Sequence, residues 1–195
     1  MRKLFLATLL VACFAPAAFA QSADDYNKYD IYVGYSHNRV DVGIDDDDTD
    51  VDDIFDEREG FNGVEAAVKG NISRYVGLKG DYAYHRKGFN VAGIEVNTSL
   101  HTLVGGVEFK DNARETKVKP FGHLMAGWAH TNADIEGISD DDVSDNGFAA
   151  VIGGGVDFRI NDRVDFRAIQ FDYNPTRGSG NTSHNFRIGV GVVFR

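Results

Sequence analysis

Alternation of apolar and polar residues with a period of two is the feature that most limits how this sequence can fold. It is clearest in residues 185–194, where one face carries Phe, Ile, Val, Val and Phe, and the other carries Asn, Arg, Gly, Gly and Val. Such alternation indicates a strand whose two faces meet different surroundings. From Lys28 onward the chain shows no sustained helical spacing of apolar residues. The sequence is therefore predicted to be all-β.

Seven more segments alternate in the same way, which predicts eight strands in total. In the seventh, the apolar parity changes between Phe166 and Ile169, and this change predicts a β-bulge near Arg167-Ala168. Phe61 and Phe121 fall on the polar face of their segments. The apolar faces of the first six segments span Tyr29–Tyr35, Val64–Val68, Val76–Tyr84, Leu103–Phe109, Leu124–Trp128 and Phe148–Phe158.

The links between the eight segments alternate between long and short. This alternation predicts an up-and-down antiparallel sheet whose two ends face different surroundings. Eight such strands can close into a barrel that leaves no edge exposed. The long links are predicted at Asp41–Glu59, Arg86–Asn97, Thr131–Gly147 and Asn174–Ser183, and the short ones at Asn71–Tyr75, Asp111–Val118 and Ile160–Arg163.

The N-terminus has the pattern of a secretory signal peptide. Arg2 and Lys3 precede an apolar stretch that is too short for a transmembrane anchor, and Ala18-Phe19-Ala20 forms a small-residue cleavage site. We therefore predict a signal peptide at residues 1–20 and one barrel domain at residues 21–195. A competing interpretation is that Leu10-Val11-Ala12-Cys13 is a lipobox, in which case Cys13 becomes a lipid anchor. Cleavage after Ala20 leaves a mature chain without cysteine and hence without disulfides.

Charge excludes one class of partner and marks two of the long links. The chain has 20 Lys and Arg against 30 Asp and Glu, and its net charge of −10 repels phosphate backbones, so no nucleic-acid partner is predicted. Asp41–Glu59 carries 11 acidic residues and Thr131–Gly147 carries 6. These acidic links are candidates for weak, millimolar binding of divalent cations. The alternative is that runs such as Asp45–Asp48 are simply solvated.

One stretch resembles the first six residues of an EF-hand calcium-binding loop. Asp142–Gly147 places oxygen ligands at alternate positions and a glycine sixth, as EF-hand loops do. The twelfth position is Gly153, so the bidentate carboxylate of that motif is missing. No metal ligand set is therefore predicted.

The direction of the apolar face separates a membrane barrel from a soluble, lipocalin-like periplasmic barrel. Period-two patterning alone does not choose between them. Mixed charges on the opposite face suit a narrow lumen in which ions neutralise one another. Aromatic residues near both ends of the segments are typical of interfacial girdles, with Tyr35, Tyr84, Trp128, Phe148, Tyr173 and Phe186 near the long links and Tyr29, Phe109, Phe158 and Phe194 near the short ones. The residues predicted to fill the lumen are Glu65, Lys69, Lys79, Asp81, Glu108, Asp157, Arg159 and Arg187.

Together, the export signal, the eight strands and the terminal stretch FRIGVGVVF resemble the small outer-membrane β-barrel family that includes OmpX and the transmembrane domain of OmpA. The resemblance implies that outer-membrane lipid and lipopolysaccharide surround the chain. It also implies that the barrel-assembly machinery recognises terminal Phe194, although Arg195 follows it here. Since one residue follows the last strand, no periplasmic peptidoglycan-binding domain is expected.

Enzyme motifs are absent from the sequence. It has no G-x-S-x-G elbow, H-E-x-x-H helix, Walker loop or cysteine-based metal spacing. The six histidines are His37, His85, His101, His123, His130 and His184. Ser183-His184 places a nucleophile next to a base, but adjacent strand residues point to opposite faces. We therefore predict no catalytic residue and no cofactor.

The sequence predicts an integral outer-membrane protein of the cell surface. Its barrel is a structural anchor that displays acidic extracellular loops for surface, cation or partner interaction. Eight strands leave an interior just filled by side chains, so free diffusion of nutrients is not expected. Two alternatives remain open at this point: a lipid-modifying outer-membrane enzyme that uses Ser183 or a histidine, and the soluble binding barrel.

Overall fold

A computed structural model of the protein describes residues 26–41, 58–91, 94–135, 143–178 and 182–195. These ranges form eight antiparallel strands in one closed barrel, in which each strand pairs with its neighbours in the sequence. The eight-stranded, all-β, up-and-down prediction is confirmed. The strands are β1 (Tyr29–Asp41), β2 (Arg58–Asn71), β3 (Val76–Val91), β4 (Ile94–Lys110), β5 (Val118–Ile135), β6 (Val143–Arg159), β7 (Val164–Arg177) and β8 (Thr182–Phe194).

The first and last strands close the barrel. β1 pairs with β8 from Ile31 opposite Phe194 to Arg39 opposite Phe186. Because of this closure, neither strand presents a free edge along those residues. No helix within the described ranges is long and apolar enough to cross a membrane.

The predicted bulge in the seventh strand is confirmed. Toward β6 the register shifts so that Ile169 pairs with Val156 and Arg167 pairs with Asp157. Toward β8 the shift falls between Arg167 and Gln170. The inserted residue lets Phe166 and Ile169 both point outward, with 40% and 50% of their surface exposed. The bulge therefore keeps the apolar face continuous along β7.

The strands reach further toward the long links than the sequence predicts. The predicted links Arg86–Asn97, Thr131–Gly147 and Asn174–Ser183 were too long, because pairing continues into each of them. β3 runs to Val91 and β4 begins at Ile94, for example. Beyond the apolar band a strand has no need of outward apolar residues, so pairing continues there without alternation. The short links agree with the prediction.

The apolar side chains point out of the barrel and the charged ones point in. Ile152 is 56% exposed and Val190 is 37% exposed, whereas Lys79 and Arg187 are buried. This direction excludes a lipocalin-like cup, in which apolar residues would line the cavity. The outward face matches the membrane interpretation of the sequence.

The interior is not uniformly polar. Phe61 and Phe121, which lie on the polar face in the sequence, are buried inside the barrel. Part of the interior on β4, β5 and β6 is apolar, a feature that the alternating pattern alone did not indicate. Its members are Leu100, Val104, Met125, Ala129, Ala149 and Val151.

Two glycines make room for one interior tyrosine. A Cβ at Gly34 would lie 2.2 Å from the Tyr32 hydroxyl and 2.5 Å from the backbone oxygen of Val190. A Cβ at Gly191 would lie 2.8 Å from the Tyr32 ring. Side chains at both positions are therefore excluded, and the Tyr32 ring is buried in the lumen with Arg167 over its face.

Candidate functional site

The half of the lumen nearest the short turns holds a chain of ion pairs. The Asp30 carboxylate on β1 lies 2.8 Å from the ammonium groups of both Lys69 of β2 and Lys110 of β4. Lys69 also donates to Glu108 at 2.8 Å, and Lys110 lies 3.1 Å from Asp157 of β6. Every one of these side chains is at most 4% exposed. Charges from four strands are thus joined inside the barrel.

Arg167 is the most constrained side chain of this group. Its Nε and Nη2 donate to the two carboxylate oxygens of Asp157 at 2.8 and 3.1 Å. Its guanidinium carbon lies 4.3 Å from the centroid of the Tyr32 ring and 4.0 Å from that of Phe121. A bidentate pair between two aromatic faces fixes the guanidinium in one orientation.

The middle of the lumen is centred on Arg187 of β8. Its guanidinium donates to Asp172 of β7 at 2.7 and 3.0 Å and to Asp81 of β3 at 3.2 Å. Glu65 of β2 lies 3.6 Å away. Gln170 donates to both Glu65 and Asp172, at 2.8 and 2.7 Å. One arginine therefore serves three carboxylates that come from three strands.

The two groups form a single network. Lys79 lies 3.5 Å from Asp81 in the middle group and 3.7 Å from Glu108 in the group near the short turns. Arg167 donates to the Gln170 side-chain oxygen at 2.6 Å. His123 on β5 contacts Asp172 at 2.8 Å. With these links the network includes residues from all eight strands.

The formal charges buried inside the lumen cancel. A buried charge is costly unless it is paired and hydrogen-bonded, and here each sign supplies the other's partner. Seven buried cations face seven buried carboxylates inside the barrel. The network holds Lys69, Lys79, Lys110, Arg167 and Arg187 with Asp30, Glu65, Asp81, Glu108, Asp157 and Asp172. Lys119 and Arg195 pair with Asp165 in a separate group near the short turns.

The network leaves almost no space. The cavity that Asp30, Lys69, Lys79 and Arg167 line has a volume of about 10 Å³. This volume is close to the minimum that one water molecule requires. At this level of the barrel side chains occupy nearly all of the lumen.

Seven of the eight predicted lumen residues lie in this network, and Arg159 does not. Its side chain is 24% exposed and pairs with Asp162 in the turn that follows β6. The prediction for Arg159 was wrong because it is the last residue of its strand, where the lumen opens to solvent. Arg195, a departure from the family's terminal pattern, is buried and pairs with Asp165 at 3.0 Å.

Nine of these sixteen buried lumen residues were not predicted from the sequence. Asp30, Asp165 and Asp172 share the inward parity of their strands, and this parity was the signal that could have identified them. Arg167 lies at the bulge, where parity is ambiguous. Lys110 and Lys119 flank the predicted short link Asp111–Val118, outside the alternating segments that assign side chains to a face. The other missed residues are His123, Gln170 and Arg195.

Both predicted aromatic girdles lie on the outer face. At the long-link end Tyr35, Trp128 and Phe148 are 50%, 44% and 58% exposed. At the short-turn end the outward rings are Tyr29, Phe109, Phe158 and Phe194, each at least 43% exposed. Amphipathic rings at two levels are typical of a protein that spans a bilayer.

Four of the six histidines lie in the outer girdle at the long-link end. The His130 ring stacks on Trp128, with centroids 5.4 Å apart and an interplanar angle of 12°. His101 accepts or donates a hydrogen bond at 2.9 Å with the Tyr82 hydroxyl. His184 bonds the Tyr173 hydroxyl. His37 is the fourth, with Asn62 at 2.8 Å. Each of these four imidazole rings thus has a hydrogen-bond or aromatic partner on the outer face.

The Ser183-His184 pair does not form a nucleophile and base. Ser183 lines a polar pocket at the long-link mouth of the lumen, whereas His184 lies on the outer face. The structure does bring Ser36 and His85 together inside the barrel, at 2.7 Å, which sequence reasoning missed. Both side chains are buried and His85 Nδ1 has no hydrogen-bond partner among the described residues, so no carboxylate orients the ring.

The acidic long links lie mostly outside the described residues. Residues 42–57 and 136–142 are not described, so the cation prediction remains a prediction. The calcium-like stretch is described from Val143, where it belongs to β6 and pairs with β5. Within the described ranges no three His, Cys, Asp or Glu side chains are arranged to hold a metal ion.

Comparison with known proteins agrees with this geometry. Residues 5–194 match a family model described as the outer membrane protein beta-barrel domain. The solved structure of Ail from Yersinia pestis with the heparin analogue sucrose octasulfate is similar, at 20% identity and a TM-score of 0.56, over 85% of this chain and 97% of that one. Neisserial surface protein A (NspA) aligns at 10% identity and a TM-score of 0.61, over 86% and 97%. No curated protein matches the chain significantly.

Proposed function

Because the chain belongs to the outer membrane protein β-barrel family and lies in the cell outer membrane, we propose that it acts there as a closed structural anchor that presents acidic loops outside the cell. The observation that carries this proposal is the set of seven buried cations and seven buried carboxylates inside the barrel, whose formal charges balance. Because side chains occupy the lumen, the two ends of the barrel are the surfaces that remain available for binding.

The long loops determine what the outer end attracts. In barrels of this class short turns face the periplasm and long loops face outward. The two acidic loops hold 17 of the chain's 30 acidic residues and one basic residue, Arg58. Ail was solved with a sulfated, polyanionic ligand. Loops as acidic as these would repel such a ligand, so the chemistry that suits them is a divalent cation, alone or as a bridge to lipopolysaccharide phosphates, or a basic partner.

Calcium titration of the purified barrel in lipid nanodiscs tests this proposal. We expect saturable binding with a Kd of about 10⁻⁴–10⁻³ M, as for extracellular calcium sites. Replacing Asp45, Asp46, Asp47 and Asp48 with asparagine is expected to weaken binding about tenfold, because affinity follows the ligand charge. Calorimetry measures both values.

The matched control removes carboxylates from the other end of the barrel. Glu115→Gln with Asp162→Asn lies at the short turns and is expected to leave calcium affinity unchanged. Equal affinity of the wild-type chain and the four-asparagine variant would show that the acidic loop is only solvated.

Absence of enzymatic activity is part of the proposal. The opposed directions of Ser183 and His184 and the burial of Ser36 and His85 support it. The competing lipid-modifying activity requires one of these groups. Lipid-processing activity that disappears with His184→Ala and persists with His101→Ala would favour the enzyme instead.

The domain boundary is also a proposal. Residues 1–20 act as the signal peptide and residues 21–195 as the mature barrel. Intact-mass measurement of the protein from outer membranes is expected to give a chain that begins at Gln21. A lipid attached to Cys13 would support the lipobox interpretation.

A further inference from the structure

Four segments of the chain meet around a cavity of about 470 Å³ at the short-turn end of the barrel. They are the residues before β1, the β4–β5 turn, the β6–β7 turn and the residue after β8. Four of the seven lining residues are cationic. The lining is Asn27, Lys28, Tyr29, Arg114, Asp162, Arg163 and Arg195.

The positive charge of this cavity is only partly compensated. Its carboxylates are the Asp162 side chain, which already pairs with Arg159, and the terminal carboxylate of Arg195. Arg195 pairs with Asp165 inside the lumen. Arg114 and Arg163 are exposed, and no described carboxylate lies within ion-pair distance of either. The cavity therefore carries an excess of positive charge where it meets solvent.

Backbone hydrogen bonds hold the walls of the cavity in place. Asn27 N donates to Asn112 O at 3.2 Å, which ties the residues before β1 to the β4–β5 turn. Arg195 N donates to Arg163 O at 2.9 Å, and Arg195 Nη2 donates to Asn161 O at 2.8 Å. The cations are thus presented by anchored segments, which lowers the entropic cost of ligand binding.

One wall of the cavity belongs to the lipid-facing surface. Tyr29 lines the cavity and is 63% exposed on the outer wall of the barrel. Phe194, which precedes Arg195, and Ile160 in the β6–β7 turn are also outward and exposed. An apolar ledge beside a cluster of cations matches the two parts of a phospholipid, whose acyl chains adjoin an anionic headgroup.

The opposite mouth of the lumen has different chemistry. Its pocket of about 230 Å³ is lined by Asp145 and by the hydroxyls of Thr131, Thr176 and Ser183, with no cation. The two cavities therefore differ in charge, and the cationic one lies at the short-turn end. In this class that end faces the periplasmic leaflet.

We propose that the cavity binds the phosphate of an anionic phospholipid in the periplasmic leaflet. Arg114 and Arg163 supply forked donors that suit phosphate oxygens, Lys28 adds a point charge, and the acyl chains lie against Tyr29. This site is independent of the acidic loops at the other end of the barrel.

Native mass spectrometry of the full barrel, extracted from nanodiscs of mixed phosphatidylglycerol and phosphatidylcholine, tests the proposal. The wild-type chain is expected to retain phosphatidylglycerol in preference to phosphatidylcholine. Lys28→Gln, Arg114→Gln and Arg163→Gln together are expected to reduce that preference about 100-fold, at about fivefold per cation. The matched control, Arg39→Gln with Arg86→Gln and Arg177→Gln, removes three cations from the long-loop end and should leave the preference unchanged.

Two further measurements separate a lipid site from a site for free phosphate. Tyr29→Ala is expected to weaken phosphatidylglycerol retention several-fold while the barrel still shifts its mobility on heating, which shows that it is folded. Inorganic phosphate at millimolar concentration, added in detergent, is expected to leave the thermal stability of the wild-type barrel unchanged. Stabilisation by inorganic phosphate equal to that by the lipid would overturn the lipid assignment, and equal lipid retention by the triple variant and its control would overturn the site.

Discussion

Replacing Arg187 with methionine is expected to lower the free energy of unfolding by about 3–5 kcal/mol. The change leaves Asp172, Asp81 and Glu65 buried without the cation that lies within 3.6 Å of all three. Removing one partner of a buried ion group costs far more than the group itself contributes, because the remaining charge stays out of water. Urea unfolding in phospholipid vesicles, followed by the fluorescence of the single tryptophan, measures the loss.

A control variant and a compensating substitution distinguish the loss of charge pairing from a nonspecific loss of stability. Arg177→Met removes an exposed arginine from β7 and is expected to change stability by less than about 0.5 kcal/mol. Adding Asp172→Asn to Arg187→Met removes one stranded carboxylate and is expected to restore part of the loss. A double variant no more stable than Arg187→Met would argue against a charge-pairing role for Arg187.

Replacing Ile152 with arginine is expected to destabilise the barrel by about 2–4 kcal/mol. Ile152 is 56% exposed on the outer wall of β6, between the girdle residues Phe148 and Phe158. On a membrane barrel this position faces the centre of the hydrocarbon, where an arginine is most costly. Reversible unfolding in vesicles gives the free-energy difference.

The same substitution at another depth is the matched control. Ile160 is 63% exposed but lies beyond β6, in the short turn at the membrane surface. Ile160→Arg is therefore expected to cost only about 0–1 kcal/mol. Equal costs at the two positions would mean that the outer wall of the barrel does not meet a hydrocarbon layer whose polarity varies with depth.

The fold could be predicted from the sequence because each step depends on local pattern. Two-residue alternation assigns every side chain of a strand to a face, and alternating link lengths set the topology. Even the bulge of β7 was visible as a parity change before Ile169. The ends of the strands were not predictable in this way, since the pairing of β3 through Val91 continues where the alternation stops.

The sequence predicted many of the residues that lie in the lumen, but it did not predict which of them form ion pairs with one another. Parity placed Glu65, Asp81 and Arg187 inside, yet nothing in their spacing shows that one guanidinium would join all of them. That contact depends on the stagger of three strands around the barrel, and stagger is a property of the closed structure. Arg195 shows the same limit, because its contact with Asp165 of β7 depends on the register in which β7 pairs with β8.

Membrane quenching of the single tryptophan tests most directly whether the apolar wall of the barrel faces lipid. Trp128 lies on the outer face of β5, 44% exposed and stacked on His130 at the girdle level. In vesicles of brominated phospholipids we expect strong quenching by bromines near the headgroup and little quenching by aqueous acrylamide. A tryptophan moved to mid-strand by Ile152→Trp with Trp128→Phe should be quenched most by deep bromines. Acrylamide quenching at both positions, with no effect of brominated lipid, would contradict the outward orientation.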